Sequence, residues 1–171
     1  MWWSDRRRVL LGLAALPLVG CGFTPALAPG AAAGALRGRI RADSPRDEPG
    51  LAFLTRFEER MGAPEAAEWR LVWSLSIATE RRGLVAGLGD SRGQMVGRLG
   101  WTLRPEGGGA PVASGRAERF AGYSRSTTPL AIRSAAEDAR RRVAEMLAEA
   151  VASELIATAA DWAPRPPDGT I

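Results

Sequence analysis

Side-chain chemistry near neutral pH needs a group that changes protonation there, and this chain of 171 residues has almost none. Histidine is absent, and all 23 basic residues are arginine because the sequence contains no lysine. Guanidinium groups stay charged at every physiological pH. Ser–His and Cys–His nucleophile pairs, His-ligated zinc and lysine Schiff bases are therefore excluded. Carboxylate pairs remain as a route to acid–base work, but Glu137 and Asp138 adjoin each other on a helical stretch, where neighbours cannot face one another. The stretch Gly87-Leu88-Gly89-Asp90-Ser91-Arg92-Gly93 has neither the glycine spacing, nor the following Lys-Ser/Thr, nor the strand-to-helix setting of a phosphate loop, and it reads as a turn. No catalytic residue, metal site or bound cofactor is expected, and the chain does not read as an enzyme. One reactive side chain is left, the thiol of Cys21.

A lone cysteine cannot close an intramolecular disulfide. Its surroundings explain it differently. Arg6, Arg7 and Arg8 precede an apolar run from Val9 to Val19, the layout of a secretory leader and too short to cross a bilayer. Leu18-Val19-Gly20-Cys21 then resembles the bacterial lipobox, in which a small residue before the cysteine admits the lipoprotein signal peptidase and the thiol receives a diacylglyceryl group. Each buried acyl CH₂ contributes about 0.8 kcal/mol, so several chains anchor a small domain without a membrane helix. Residues 1–20 are thus expected to be the leader, and Cys21 the site of lipidation and of the covalent lipid. Gly22, rather than Asp, follows the cysteine and fits onward transfer to the outer membrane, facing the periplasm. The Arg6-Arg7-Arg8 run also loosely resembles a twin-arginine signal. The general secretory route is the expectation, because nothing downstream requires export of a folded chain.

Formal net charge is +4, and loss of residues 1–20 removes three Arg and one Asp to leave +2. That is too mild for a general polyanion binder, so nucleic acid is not an expected partner. The arginines instead spread over predicted strand and helix faces. Arg37, Arg39 and Arg41 share one face of a short strand, where they fit either an acidic lipid or an edge blunted by charge. Arg140, Arg141 and Arg142 read as a solvated helix face.

The elements that carry these residues follow from periodicity. Residues 21–35 read as the lipidated cysteine and a Pro/Gly/Ala-rich tether, 36–160 as one domain and 161–171 as a flexible tail. Leu36 to Ala42 alternates as a strand. Leu51, Leu54, Phe57 and Met61 predict the buried stripe of a helix from Pro49 to Gly62, with Arg56, Glu58, Glu59 and Arg60 outward. Trp69 to Ala78 alternates over the clearest strand, with Trp69, Trp73 and later Trp101 as core residues. After a Gly-rich connection, Gln94 to Arg104 and Val112 to Tyr123 form a hairpin across the turn Pro105 to Pro111. Thr128 and Pro129 then open a helix to about Ala159. The order β-α-β-β-β-α predicts an α+β, two-layer α/β sandwich: a four-stranded sheet covered on one face by two helices, with the other face free for partners.

With this order behind a lipobox, the chain resembles the lipopolysaccharide-assembly lipoprotein family, LptE. The likeness rests on Cys21-Gly22-Phe23-Thr24-Pro25, the two hairpin strands, and Tyr123-Ser124-Arg125-Ser126 leading through Pro129-Leu130-Ala131 into Ala136-Glu137-Asp138-Ala139. It spans about residues 18–160. The resemblance implies a non-enzymatic lipoprotein on the inner leaflet of the outer membrane that assembles with and plugs the LptD β-barrel and contacts lipopolysaccharide. Basic residues near the start of the last helix serve that contact in the family, and Arg133 is the matching position. Arg98 on the exposed strand face and Arg92 at the hairpin entrance are candidates by placement alone. Two departures from enteric members are the absence of lysine and the Gly83–Gly93 loop. A lipid-anchored accessory subunit of another envelope transport or secretion complex is the alternative reading.

Overall fold

A computed structural model describes residues 33–80, 92–125 and 128–163. The leader, Cys21, the tether up to residue 32, the 81–91 connection and residues 164–171 lie outside the described residues. In chain order the elements are β1 (Ile40–Ala42), α1 (Glu48–Met61), β2 (Trp69–Glu80), β3 (Arg92–Pro105), β4 (Ala113–Ser124) and α2 (Pro129–Trp162). β1 lies parallel to β2, joined to it through α1, while β2, β3 and β4 are antiparallel neighbours in the sheet order β1-β2-β3-β4. The two-layer sandwich expected from the periodicity is the observed fold.

The inner face is built from alternate residues, because a strand turns every second side chain to one side. Trp69 and Leu71 of β2 are buried there, Trp73, Leu75 and Ile77 half-buried, and β3 adds Met95, Leu99, Trp101 and Leu103. Helix α2 supplies the opposite wall through Ala139, Val143, Leu147, Val151 and Leu155, all fully buried. It approaches β3 closely at a glycine. A Cβ on Gly97 would stand 2.3 Å from Val143 Cγ1, so only glycine lets the helix sit this near β3.

Three expectations change. The first strand is shorter than Leu36–Ala42: Gly34–Leu36 is a 3₁₀ turn, and Gly38, at φ 70°, donates its N–H to Met61 O at 2.8 Å. Leu36 is buried nonetheless, which is why the alternation looked continuous. In α1 the buried stripe is Gly50, Phe53, Phe57 and Met61, whereas Leu51 is 54% exposed. The two stripes share a period, and aromatic packing decides between them: the Phe53 ring packs tilted against Trp73, with centroids 4.6 Å apart. Gly50 permits that approach, since a Cβ there would lie 3.1 Å from the Trp73 ring. Finally, Asp161 and Trp162 belong to α2 and not to the tail. The Trp162 ring meets Trp69 edge-on at 5.5 Å, and its Nε1 donates to Thr158 Oγ1 at 3.1 Å, so hydrophobic contact carries the helix past Ala159.

Asp47 caps α1 by accepting from Gly50 N at 2.8 Å, and Thr128 caps α2 by accepting from Ala131 N at 3.5 Å. Glu149 of α2 ties the helices together, 2.7 Å from Arg56 and 3.6 Å from Arg60.

Candidate functional site

One end of the sheet gathers two of the three arginines singled out by sequence. Arg92 opens β3 opposite Ser124, the last residue of β4, and Glu80 closes β2 opposite Gln94. Helix α2 begins a few residues after β4, which brings Arg133, in its first turns, to the same end. Arg92 and Arg133 are both exposed, and neither has an ion-pair partner among the described residues. Arg98 does not join them. It lies further along β3 on the uncovered sheet face, where Nη2 donates to Glu80 at 2.7 Å and Nε to Glu118 at 2.8 Å. Those hydrogen bonds, Glu80 first and then Glu118, raise the guanidinium above its ordinary pKa.

Two apolar residues missed by the sequence reading share this region. Leu130 is 72% exposed in the first turn of α2, and Phe120 is 65% exposed on the uncovered face of β4. Phe120 is register partner to Val96, which is buried on that face apart from the main core. The signal was present: Phe120 falls out of phase with the small inner residues Ala117 and Ala121. Phe120 lies on the uncovered sheet face and Leu130 on α2, and Arg92 and Arg133 have no ion-pair partner among the described residues, so the exposed groups at this part of the domain are both apolar and cationic. Arginine can hold a phosphate through two parallel N–H···O bonds, and the apolar groups offer contact to hydrocarbon.

Several other arginines are engaged. Arg39 pairs with Glu68, and Arg41 with Glu106 at 3.0 Å, which fits a charged edge rather than a lipid-reading stripe. Arg70 donates to Asp43 at 2.6 Å, and that contact raises its pKa. Arg141 and Arg142 converge on Asp138, which makes this carboxylate an ion-pair partner on the helix surface. Arg142 also reaches across to Gly122 O at 3.1 Å. Among the described residues no group of acidic or sulfur side chains could hold a metal, and no helix is long and apolar enough to cross a membrane.

No family model and no curated protein matches the sequence. Solved structures do. A Caulobacter crescentus protein assigned as a lipoprotein superposes with a TM-score of 0.61 at 19% identity, over 75% of this chain and 96% of that one. The rare lipoprotein B from Shewanella oneidensis gives 0.52 at 14% identity, over 72% and 96%. The chain shares the fold of these two proteins. At such identities the likeness concerns the backbone plan alone.

Proposed function

We propose that the protein is an outer-membrane lipoprotein, anchored by acyl chains on Cys21 with its domain in the periplasm, that assembles with and plugs the LptD-type β-barrel and helps deliver lipopolysaccharide to the cell surface. The observation that carries this reading is a lipobox placed before a fold shared with rare lipoprotein B. Four points of physical chemistry support it. The role is non-enzymatic, which suits a chain lacking histidine and lysine. The uncovered sheet face is largely polar and charged, with Arg98, Glu80 and Glu118 on it, and such a face is compatible with a wet barrel lumen. Arg92 and Arg133 are exposed with no ion-pair partner among the described residues and can grip lipid phosphates, while exposed Phe120 and Leu130 can meet acyl chains. No metal or cofactor is needed beyond the covalent lipid.

Expression of the full chain with its own leader and a C-terminal tag, followed by extraction in mild detergent, tests the reading. A translocon-sized barrel should co-purify stoichiometrically. Cys21→Ala should release the protein from membranes, and retention of the barrel by that variant would show that the lipid anchors without being needed for the contact. Recovery of inner-membrane or tripartite components instead would favour the accessory-subunit alternative.

A further inference from the structure

The two edges of the sheet are treated differently. On β4 the outward-facing carbonyls of Glu118 and Gly122 are occupied by guanidiniums, Arg119 Nη1 at 2.8 Å and Arg142 Nη2 at 3.1 Å. Such side chains discourage another strand from pairing there. Among the described residues β2 has no comparable protection. β1 accompanies it only from Trp69 to Leu71, after which Asp43 N donates to Leu71 O at 2.9 Å and the chain turns away through Ser44 and Pro45. Because Trp69 and Leu71 direct their peptide groups towards β1, the residues in the same phase, Trp73, Leu75, Ile77 and Thr79, direct theirs to the open side. No backbone group among the described residues meets them there.

The space beside this edge is shaped. A cleft of about 620 Å³ runs along Trp73, Ser74 and Leu75, bounded by the Asp43–Asp47 turn. Leu75 and Ile77 are only half-buried, since α1 starts at the level of Trp73 and runs away from them. The charges of the cleft are nearly all spent: Arg41 on Glu106, Arg70 on Asp43, and Asp47 on the α1 cap. Arg46 is exposed and has no ion-pair partner among the described residues.

We infer that the open edge of β2 from Trp73 to Thr79 is a strand-addition site for an extended segment of a partner protein, with alternating apolar side chains to cover Leu75 and Ile77 and a carboxylate to meet Arg46. Backbone pairing gives such a site its affinity, and the alternate side chains its selectivity. This inference stands apart from the translocon reading, because it rests on β2 and the cleft alone.

The probe is a synthetic peptide of alternating valine and threonine with an aspartate at each end, about seven residues long to match the edge at roughly 3.3 Å per residue. Amide hydrogen exchange on the full chain in mild detergent reads it. Without peptide, the amides of Trp73, Leu75 and Ile77 should exchange freely while Ser74, Ser76 and Ala78, bonded to β3, are protected. With peptide the first set should slow by roughly tenfold or more. Ile77→Pro deletes an outward N–H and no bond to β3, so it should keep the fold and weaken peptide binding by roughly tenfold. Ile77→Ala, which keeps the N–H, should bind more tightly than Ile77→Pro. Arg142→Ala, at the other edge, should leave peptide affinity unchanged. Protection of Trp73, Leu75 and Ile77 without peptide would overturn the inference, since the edge would be filled by the chain itself or, if protection rose with concentration, by a second copy. Undiminished binding by a folded Ile77→Pro would overturn it equally.

Discussion

Arg98 and Glu118 stand directly opposite each other on β3 and β4, with Nε 2.8 Å from Oε2, and the same guanidinium reaches Glu80 at 2.7 Å. A cation clamped between two carboxylates across three strands has little left to offer a phosphate. Arg133, on the first turns of α2, is exposed and has no ion-pair partner among the described residues.

The two arginines should therefore separate in a lipopolysaccharide-binding titration. Arg133→Ala should weaken binding by roughly tenfold, the scale of one lost charge-assisted contact, and Arg98→Ala should leave it nearly unchanged. Glu80→Gln with Glu118→Gln should release the Arg98 guanidinium and strengthen binding. Equal losses from Arg98→Ala and Arg133→Ala would place the ligand on the sheet face instead.

The buried stripe of α1 can be checked by stability. Phe53 is fully buried against Trp73 and Phe57, so Phe53→Ala should cost about 3–5 kcal/mol in a denaturant titration. Leu51→Ala should stay within about 0.5 kcal/mol, because that side chain is 54% exposed. The reverse ranking would restore the Leu51-Leu54 stripe as the core face.

These residues show where the sequence was legible. Trp69 to Ala78 and the hairpin strands announced themselves because one face is buried and the other wet, which writes a period of two into the chain. α1 was harder, since two stripes of one helical period differ only in which neighbours they meet, and Trp73 is distant in sequence. Trp162 looked like tail for the same reason: its partner is Trp69. The arginines were visible as residues but not as free or engaged, because pairings such as Arg98 with Glu80 depend on register across the sheet.

The pH profile should be flat. Without histidine or lysine, no side chain of the domain has an ordinary pKa between about 6 and 9. Arg56, Arg70 and Arg98 are raised, chiefly by hydrogen bonds to Glu59, Asp43 and Glu80 respectively. A raised cation contributes in full below its unfolded pKa and fades only as pH climbs through the folded one, far above neutrality. Thermal melts across this window should coincide, and any loss of Tm on adding salt should be small because these pairs are exposed. A melting step near neutral pH would contradict that assignment.

The contact between Gly97 and Val143 sets how closely α2 lies on the sheet. A methyl at position 97 would stand 2.3 Å from Val143 Cγ1 and 2.9 Å from Leu147 Cδ1, inside any real contact distance. Valine is stiff at χ1 and cannot swing clear, so Gly97→Ala must push the helix outwards or strain the strand. We expect about 1–3 kcal/mol of destabilisation from overpacking. Val143→Ala alone opens a cavity and destabilises as well, but combined with Gly97→Ala it makes room for the new methyl. The double variant should be more stable than the sum of the two single losses implies, with a coupling of about 0.5–3 kcal/mol. Additive losses in denaturant titrations would mean that the two positions do not touch, and that α2 crosses β3 elsewhere.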